Sequence, residues 1–260
     1  MCGRYVQASS PSLLAERLQV DEVRAEEGEA LYNVTPRTEV PIVAETKEHV
    51  RVLDRVRWGL VPSWAKDRSV GSRMINARAD SILEKPAFRR AAVARRCLVP
   101  ADGWYEWQKS PTEKDAKGKP RKQPFWIHPG VERPIAFAGL YEFWRDPAKE
   151  GDDAWLTTFT IITTEAEPGL DVIHDRMPFV VPEDRWADWL DPENTDPDAV
   201  RALLQPPVQG RFVATAVTTR VNAVVNNGPE LLEPAPLDQL RGVVDPATGE
   251  LIGAGEAPLF

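Results

Sequence analysis

The chain has 260 residues, a formal net charge of −8, and is 42% hydrophobic and 28% charged. That length can bury a full core, the proportions are those of an ordinary soluble protein, and no apolar run approaches the roughly 18 residues of a membrane span. The start lacks the charged-then-apolar pattern of a secretory leader. The only two cysteines, Cys2 and Cys97, give neither a disulfide framework nor a Cys-x-x-Cys metal spacing; both features point to a reducing cytosol and to no metal or other cofactor.

In chain order, Pro11 after Ser10, with Leu13, Leu14 and Leu18 at helical spacing, predicts a short capped helix. Thr38 to Ala44 and Val50 to Trp58 read as strands from their β-branched residues and partial alternation. Ala79 to Arg96 reads as a helix broken or kinked at Pro86. Strand character returns at Cys97–Val99, Phe125–Ile127, Pro134–Phe143 and Trp155–Thr164. Between them, Lys109–Gln123 is rich in Lys, Gly and Pro and reads as a mobile surface loop. Two helices follow, Glu183–Leu190 and Asp196–Leu204, then a strand at Phe212–Thr218 and a loosely held tail beyond Pro236. Strands outnumber helices and no βαβ rhythm or internal repeat is present, so the expected architecture is α+β: a single domain around a curved, barrel-like mixed β-sheet with peripheral helices. Its expected limits are residues 2–232, with 233–260 as a C-terminal extension. Glycine-rich nucleotide loops and Gly-x-Ser-x-Gly are both missing.

The charge is unevenly spread. Arg51 to Lys122 holds 18 Lys and Arg against 8 Asp and Glu, while the rest holds 14 against 32. A basic segment inside an acidic chain suits a phosphate-binding face; equally, loop lysines at 109, 114, 117, 119 and 122 inflate the count. Nine tryptophans are present, and Trp58, Trp64 and Trp107 lie in or beside that segment, where aromatics can stack unpaired bases. Arg4, Arg37, Arg78 and Arg176 are candidate phosphate contacts.

The candidate chemistry begins at Cys2. Cysteine is small enough for a methionine aminopeptidase to remove Met1, leaving a free α-amine and a thiol on one residue. Both titrate near neutrality, at roughly 7.7–8.0 and 8.5. A 1,2-aminothiol condenses with an aldehyde to an imine, and its sulfur then closes a thiazolidine. Asn76 follows an extended segment and is either a structural hydrogen-bonder or a group that orients an amine and substrate. Glu106, between Tyr105 and Trp107, is either partly desolvated and raised in pKa or alternates outward on a strand. Asp102 before Gly103 makes a turn. Of three histidines, His49 reads as solvated and His128 as part of a turn. His174 alone follows an apolar pair and neighbours both an acid and a base.

Together these residues lie in ordered blocks. They are Met1-Cys2-Gly3-Arg4-Tyr5, Tyr32-Asn33-Val34-Thr35-Pro36, Trp58-Gly59-Leu60-Val61-Pro62, Ile75-Asn76-Ala77-Arg78-Ala79 and Cys97 through Trp107. Further on come Phe137-Ala138-Gly139-Leu140-Tyr141-Glu142, Thr163-Thr164-Glu165-Ala166, Ile173-His174-Asp175-Arg176-Met177-Pro178 and Asn227-Gly228-Pro229-Glu230-Leu231. In that order, over about residues 2 to 232, the chain resembles the SRAP (SOS response-associated peptidase) family. The resemblance implies a protein that senses abasic sites in single-stranded DNA and crosslinks to them covalently; the default expectation beside it is a cytoplasmic monomer, nucleoid-associated if bacterial, with no membrane or metal partner. It places the nucleophile at Cys2, an orienting role at Asn76, acid/base work at Glu106 and a catalytic role at His174. It sets Arg4, Arg78 and Arg176 near the DNA backbone and Trp107 as an aromatic wedge. The chain departs from the usual Asn-Ala-Arg-Ala-Glu-Thr in having Asp80 and Ser81. The alternative activity is a thiol or self-processing peptidase using Cys2 and His174.

Overall fold

The structure is a computed structural model describing residues 2–131, 133–205 and 212–253. Among the described residues the thirteen strands are β1 (Arg4–Gln7), β2 (Glu22–Val23), β3 (Leu31–Val34), β4 (Glu39–Glu45), β5 (Arg51–Trp58), β6 (Asn76–Arg78), β7 (Arg96–Ala101), β8 (Gly103–Lys114), β9 (Pro120–His128), β10 (Ile135–Arg145), β11 (Trp155–Glu165), β12 (Arg176–Pro178) and β13 (Val213–Ala216). The four α-helices among these residues are α1 (Pro11–Arg17), α2 (Arg89–Ala94), α3 (Trp186–Leu190) and α4 (Pro197–Leu203).

Antiparallel pairing runs β11–β10–β7–β4–β5, and a parallel contact of Arg57 and Trp58 with Thr158 and Phe159 joins β5 back to β11. The ring is therefore a closed five-stranded mixed barrel, and the expected α+β single domain is what the chain forms. Strand β11 outruns the ring. Beyond Ile161, β6 takes over the flank held by β5, and β12 takes over the flank held by β10. A second, antiparallel sheet, β13-β9-β8-β1-β3, packs on the barrel.

Period-two alternation divides the core. Ile42, Cys97, Val99 and Phe137 face a core shared with Tyr5, Trp104, Phe125 and Ile127 of the second sheet. Their neighbours Val43, Leu98, Ala136, Ala138 and Leu140 face a separate core under the helices, with Leu14, Phe88, Trp186 and Trp189. Helix α1 starts as expected, with Ser10 accepting the Leu13 amide and Pro11 in the first turn.

Three expectations are corrected. Ala79–Arg96 is not one kinked helix: turns occupy it up to the six-residue α2, and from Arg96 the chain joins the barrel. Pro86 disfavours helix in the residue before it, and the buried Arg96 guanidinium is tied to the carbonyls of Ala92, Trp189 and Asp191. Lys109–Gln123 is not a loop but the two arms of the β8–β9 hairpin, turned at Asp115–Lys119 with Gly118 at φ +73°. Its inward residues, Gln108 and Ser110, are polar, which hides the alternation from hydropathy. They hold the tail: Gln108 exchanges two hydrogen bonds with the Val244 backbone and Ser110 donates to Gly242 O. Residues 237–252 of the expected loose tail are thus docked, with Val243 buried, while 254–260 lie outside the described residues.

Candidate active site

Strand β1 pairs with β8 through Arg4↔Tyr105 and Tyr5↔Trp104, which carries the residues just before Arg4 toward Glu106. Asn76 opens β6, opposite Ile161 on the overrunning part of β11. Its Nδ2 donates to the carbonyl oxygen of Cys2 at 2.7 Å, anchoring that residue. Its Oδ1 is buried with no hydrogen-bond partner among the described residues. An acceptor held dry and unused is costly unless an N–H is to arrive there.

Cys2 is wholly buried, and its Sγ lies 3.8 Å from Arg4 O. Burial first, then the nearby Glu106 carboxylate, pushes its thiol well above the usual range. At neutral pH it is a thiol, not a thiolate. Glu106 is 3% exposed, so the reading of an outward-facing glutamate is excluded. Burial raises its carboxyl to about 7, where it can both give and take a proton.

Glu106 and His174 line one cleft, with Trp107, Lys109, Lys122, Asp171 and Asp175. Burial lowers the His174 pKa. Its Nδ1 accepts the Arg176 amide at 3.0 Å, an assignment that leaves the ring proton on Nε2. The exposed Asp175 carboxylate lies 2.8 Å from the same Nδ1 and competes with that amide only when the ring is charged. Cys97, the second thiol, is buried in the shared core and raised by burial alone.

The expected DNA contacts divide. Arg4 donates to Asn33 Oδ1 and Val221 O and lies over the Trp107 ring at 5.8 Å; Trp107 in turn donates to Asn222 Oδ1. The arginine thus positions the aromatic. Arg78 makes a bidentate pair with Asp80, whose Oδ2 is also 3.9 Å from Arg176. Arg176 further donates to Thr163 O. Arg37 lines a separate pocket beside Trp58. Trp58 is itself fully buried, donating to Ile75 O, so it supports Asn76 from behind and is no base-stacking surface; Trp64 is 62% exposed.

Sequence reasoning missed Asn33, Lys109, Lys122 and Asp80. Asn33 Nδ2 gathers the carbonyls of Val221, Ala223 and Asn226, fixing the loop that meets Trp107. Lys109 and Lys122 face each other across the hairpin at the cleft, which only the strand register reveals. No helix among the described residues is long and apolar enough to cross a membrane, and no group of three or more His, Cys, Asp or Glu among them could hold a metal.

The family model for "SOS response associated peptidase (SRAP)" matches residues 1–224. The "abasic site processing protein YoqW" of Bacillus subtilis is 41% identical over 234 residues, covering 90% of this chain and 99% of its own. The "abasic site processing protein YedK" of Escherichia coli is 33% identical over 239 residues, covering 90% of this chain and 100% of its own. A crystal structure of a Bacteroides thetaiotaomicron protein aligns with a TM-score of 0.74 at 25% identity, covering 90% of this chain and 100% of that one.

Proposed function

The chain belongs to the SOS response associated peptidase family, and from that premise we propose that it recognises abasic sites in single-stranded DNA and joins to them covalently through Cys2. One observation carries the reading: Asn76 fixes the Cys2 carbonyl beside a buried carboxyl that titrates near neutrality. The names of the relatives, both abasic site processing proteins, support the substrate.

An abasic deoxyribose is mostly a closed hemiacetal with a small open-chain fraction bearing an aldehyde at C1′. His174, neutral with its proton on Nε2, donates a hydrogen bond to O4′ as the C1′–O4′ bond breaks and the C1′ hydroxyl proton passes through solvent to O4′, which favours the open form. The Cys2 amine attacks C1′, and Asn76 Oδ1 receives one of its N–H groups. Glu106 in its acid form protonates the departing hydroxyl, which leaves as water and gives the protonated imine. The Cys2 sulfur then adds to the imine carbon while Glu106, now a carboxylate, takes the thiol proton. Aldehyde, amine and thiol become a thiazolidine and one water, and the carboxyl ends as it began. Consuming the imine prevents it from promoting strand cleavage. A thiol kept protonated by burial suits this order, in which the amine reacts first, and suits a peptidase poorly, because a thiol peptidase starts from the thiolate.

Intact-protein mass spectrometry after incubation with an abasic single-stranded oligonucleotide tests the proposal, with Cys2→Ala and a Met1-retaining form alongside. The expected adduct weighs protein without Met1, plus DNA, minus one water, and is absent from both controls. No adduct from folded, correctly processed protein would sink the reading and bring the peptidase forward.

A further inference from the structure

The family match ends at residue 224, and Cys2, Asn76, Glu106 and His174 all precede it. The chain beyond Pro236 is nonetheless an ordered element. Val244 bridges Leu251, the Gly242 amide donates to Ile252 O and the Ile252 amide to Val243 O. The turn between them is closed by the Asp245 amide on Glu250 O and the Gly249 amide on Asp245 O.

This small hairpin touches both walls of the cleft that holds Glu106 and His174. One wall is β8 with β9. Glu106, Gln108 and Ser110 alternate onto one face of β8, and all three are buried. Glu106 reaches the cleft, while Gln108 and Ser110 are bonded to the tail at Val244 and Gly242. The tail's grip thus begins two residues, about 7 Å, from the acid. Arg121 on β9 adds both terminal nitrogens to the carbonyls of Gln239 and Arg241. The other wall is the β11–β12 connection, where Asp171 to Asp175 line the cleft. Here Pro246 O lies 3.1 Å from where a Cβ on Gly169 would stand. Val243 is 1% exposed and shares an apolar cluster with Leu170 and Ile173. Leu170 O accepts the amides of both Ile173 and His174, so the seat of Leu170 fixes the backbone of the histidine.

No strand pairing among the described residues joins the two walls, since β8 belongs to the second sheet and the β11–β12 connection to the barrel. The cleft lining contains no tail residue, so the tail acts there only through the walls. Hydrogen bonds span only about 2.6–3.2 Å, and a misplacement of about 1 Å can cost about 100-fold in rate. We propose that residues 237–252 are a strap that holds the Glu106 strand and the His174 turn at working distance, with Gln108, Gly242 and Val243 as positioning residues for adduct formation. The reaction rests on the function proposed above; the clamping of the turn does not.

The test compares the whole, processed chain with two variants. Val243→Asp puts a charge into the apolar cluster. Gly242→Ala is milder: its Cβ would lie 2.5–2.9 Å from Glu113, Thr112 and Ser110, at a φ of +72°. Glu250→Gln, exposed on the same hairpin, is the control. Single-turnover adduct formation is followed against the concentration of an abasic single-stranded oligonucleotide, on protein shown to be folded by circular dichroism. The maximum rate should fall about 10–100-fold in Val243→Asp and about 3-fold or more in Gly242→Ala, with half-saturation within about 2-fold of wild type. Glu250→Gln should match wild type within about 2-fold. Amide exchange without DNA reads the clamp itself: Ile173 and His174 should exchange faster in both variants. If Val243→Asp does not fold, Gly242→Ala decides. Faster exchange with unchanged maximum rates would overturn the positioning role and leave the tail a stabilising element only. A raised half-saturating concentration at an unchanged maximum rate would also overturn it, making the tail a DNA-binding element. Wild-type exchange in the folded variants would overturn the clamp. No adduct from wild type, with exchange still faster in the variants, would overturn the proposed function and keep the clamp.

Discussion

Replacing Glu106 with glutamine should stabilise the protein at alkaline pH and do little at acid pH. An unburied glutamate titrates at 4.5, whereas burial holds this one at about 7. Between those values the unfolded chain has lost a proton that the folded chain keeps, so stability falls as pH rises through the window. Each pH unit corresponds to about 1.4 kcal/mol, which makes the full penalty about 3 kcal/mol above pH 7 and nothing below about pH 4.5. With only 3% of the residue exposed, solvent screening removes little of it. Glutamine carries no charge to bury, so Glu106→Gln escapes the penalty. At pH 8 its Tm should exceed that of wild type by about 6–12 °C, taking about 2–4 °C per kcal/mol for a chain of this size. By pH 4.5 the difference should close to whatever the amide exchange costs by itself. Thermal unfolding of both proteins with identically processed N-termini, at pH 4.5, 6, 7 and 8, reads the change directly. A difference that does not vary with pH would refute the claim that this carboxyl is held desolvated. The same group should leave an inflection near pH 7 in the rate of adduct formation, lost in the variant.

Two further predictions concern groups near the site. Asp80→Asn frees Arg78 and Arg176 from their shared carboxylate; because Asp80 is about half exposed, the gain is modest, roughly 1.5–5-fold tighter DNA binding with a steeper salt dependence. Unchanged or weaker binding in titrations at two salt concentrations would show that the aspartate is not competing with DNA. Cys97→Ala should leave adduct yield at the wild-type level while lowering stability by about 1 kcal/mol, since this buried thiol only fills space against Gly139; loss of adduct from the folded variant, by mass spectrometry, would contradict that.

What the sequence revealed followed from where its signals are local. Ser10-Pro11 announces a helix start, and the β-branched runs of β4, β5, β10 and β11 announce strands, because cap chemistry and alternation are written within a few residues. The barrel-like sheet was expected, but the pair of strands that closes it was not legible, because closure depends on Arg57 and Trp58 meeting Thr158 and Phe159 a hundred residues away. Strands β8 and β9 were missed beyond their apolar parts because their inward side chains, Gln108, Ser110 and Gln123, are polar and are satisfied by distant backbone groups. Cys2, Asn76, Glu106 and His174 could be named from their blocks, yet their electrostatic states could not. The same aromatic flanks fit a buried or an outward Glu106, and only the second sheet packed over the barrel decides for burial. The arginines show the limit most clearly. Four looked alike in sequence. In the fold Arg4 braces Trp107, Arg78 and Arg176 share an acid, and Arg37 lines a separate pocket beside Trp58. A guanidinium's role is set by which acid or carbonyl reaches it first, and that competition is decided by tertiary contacts rather than by neighbours in sequence.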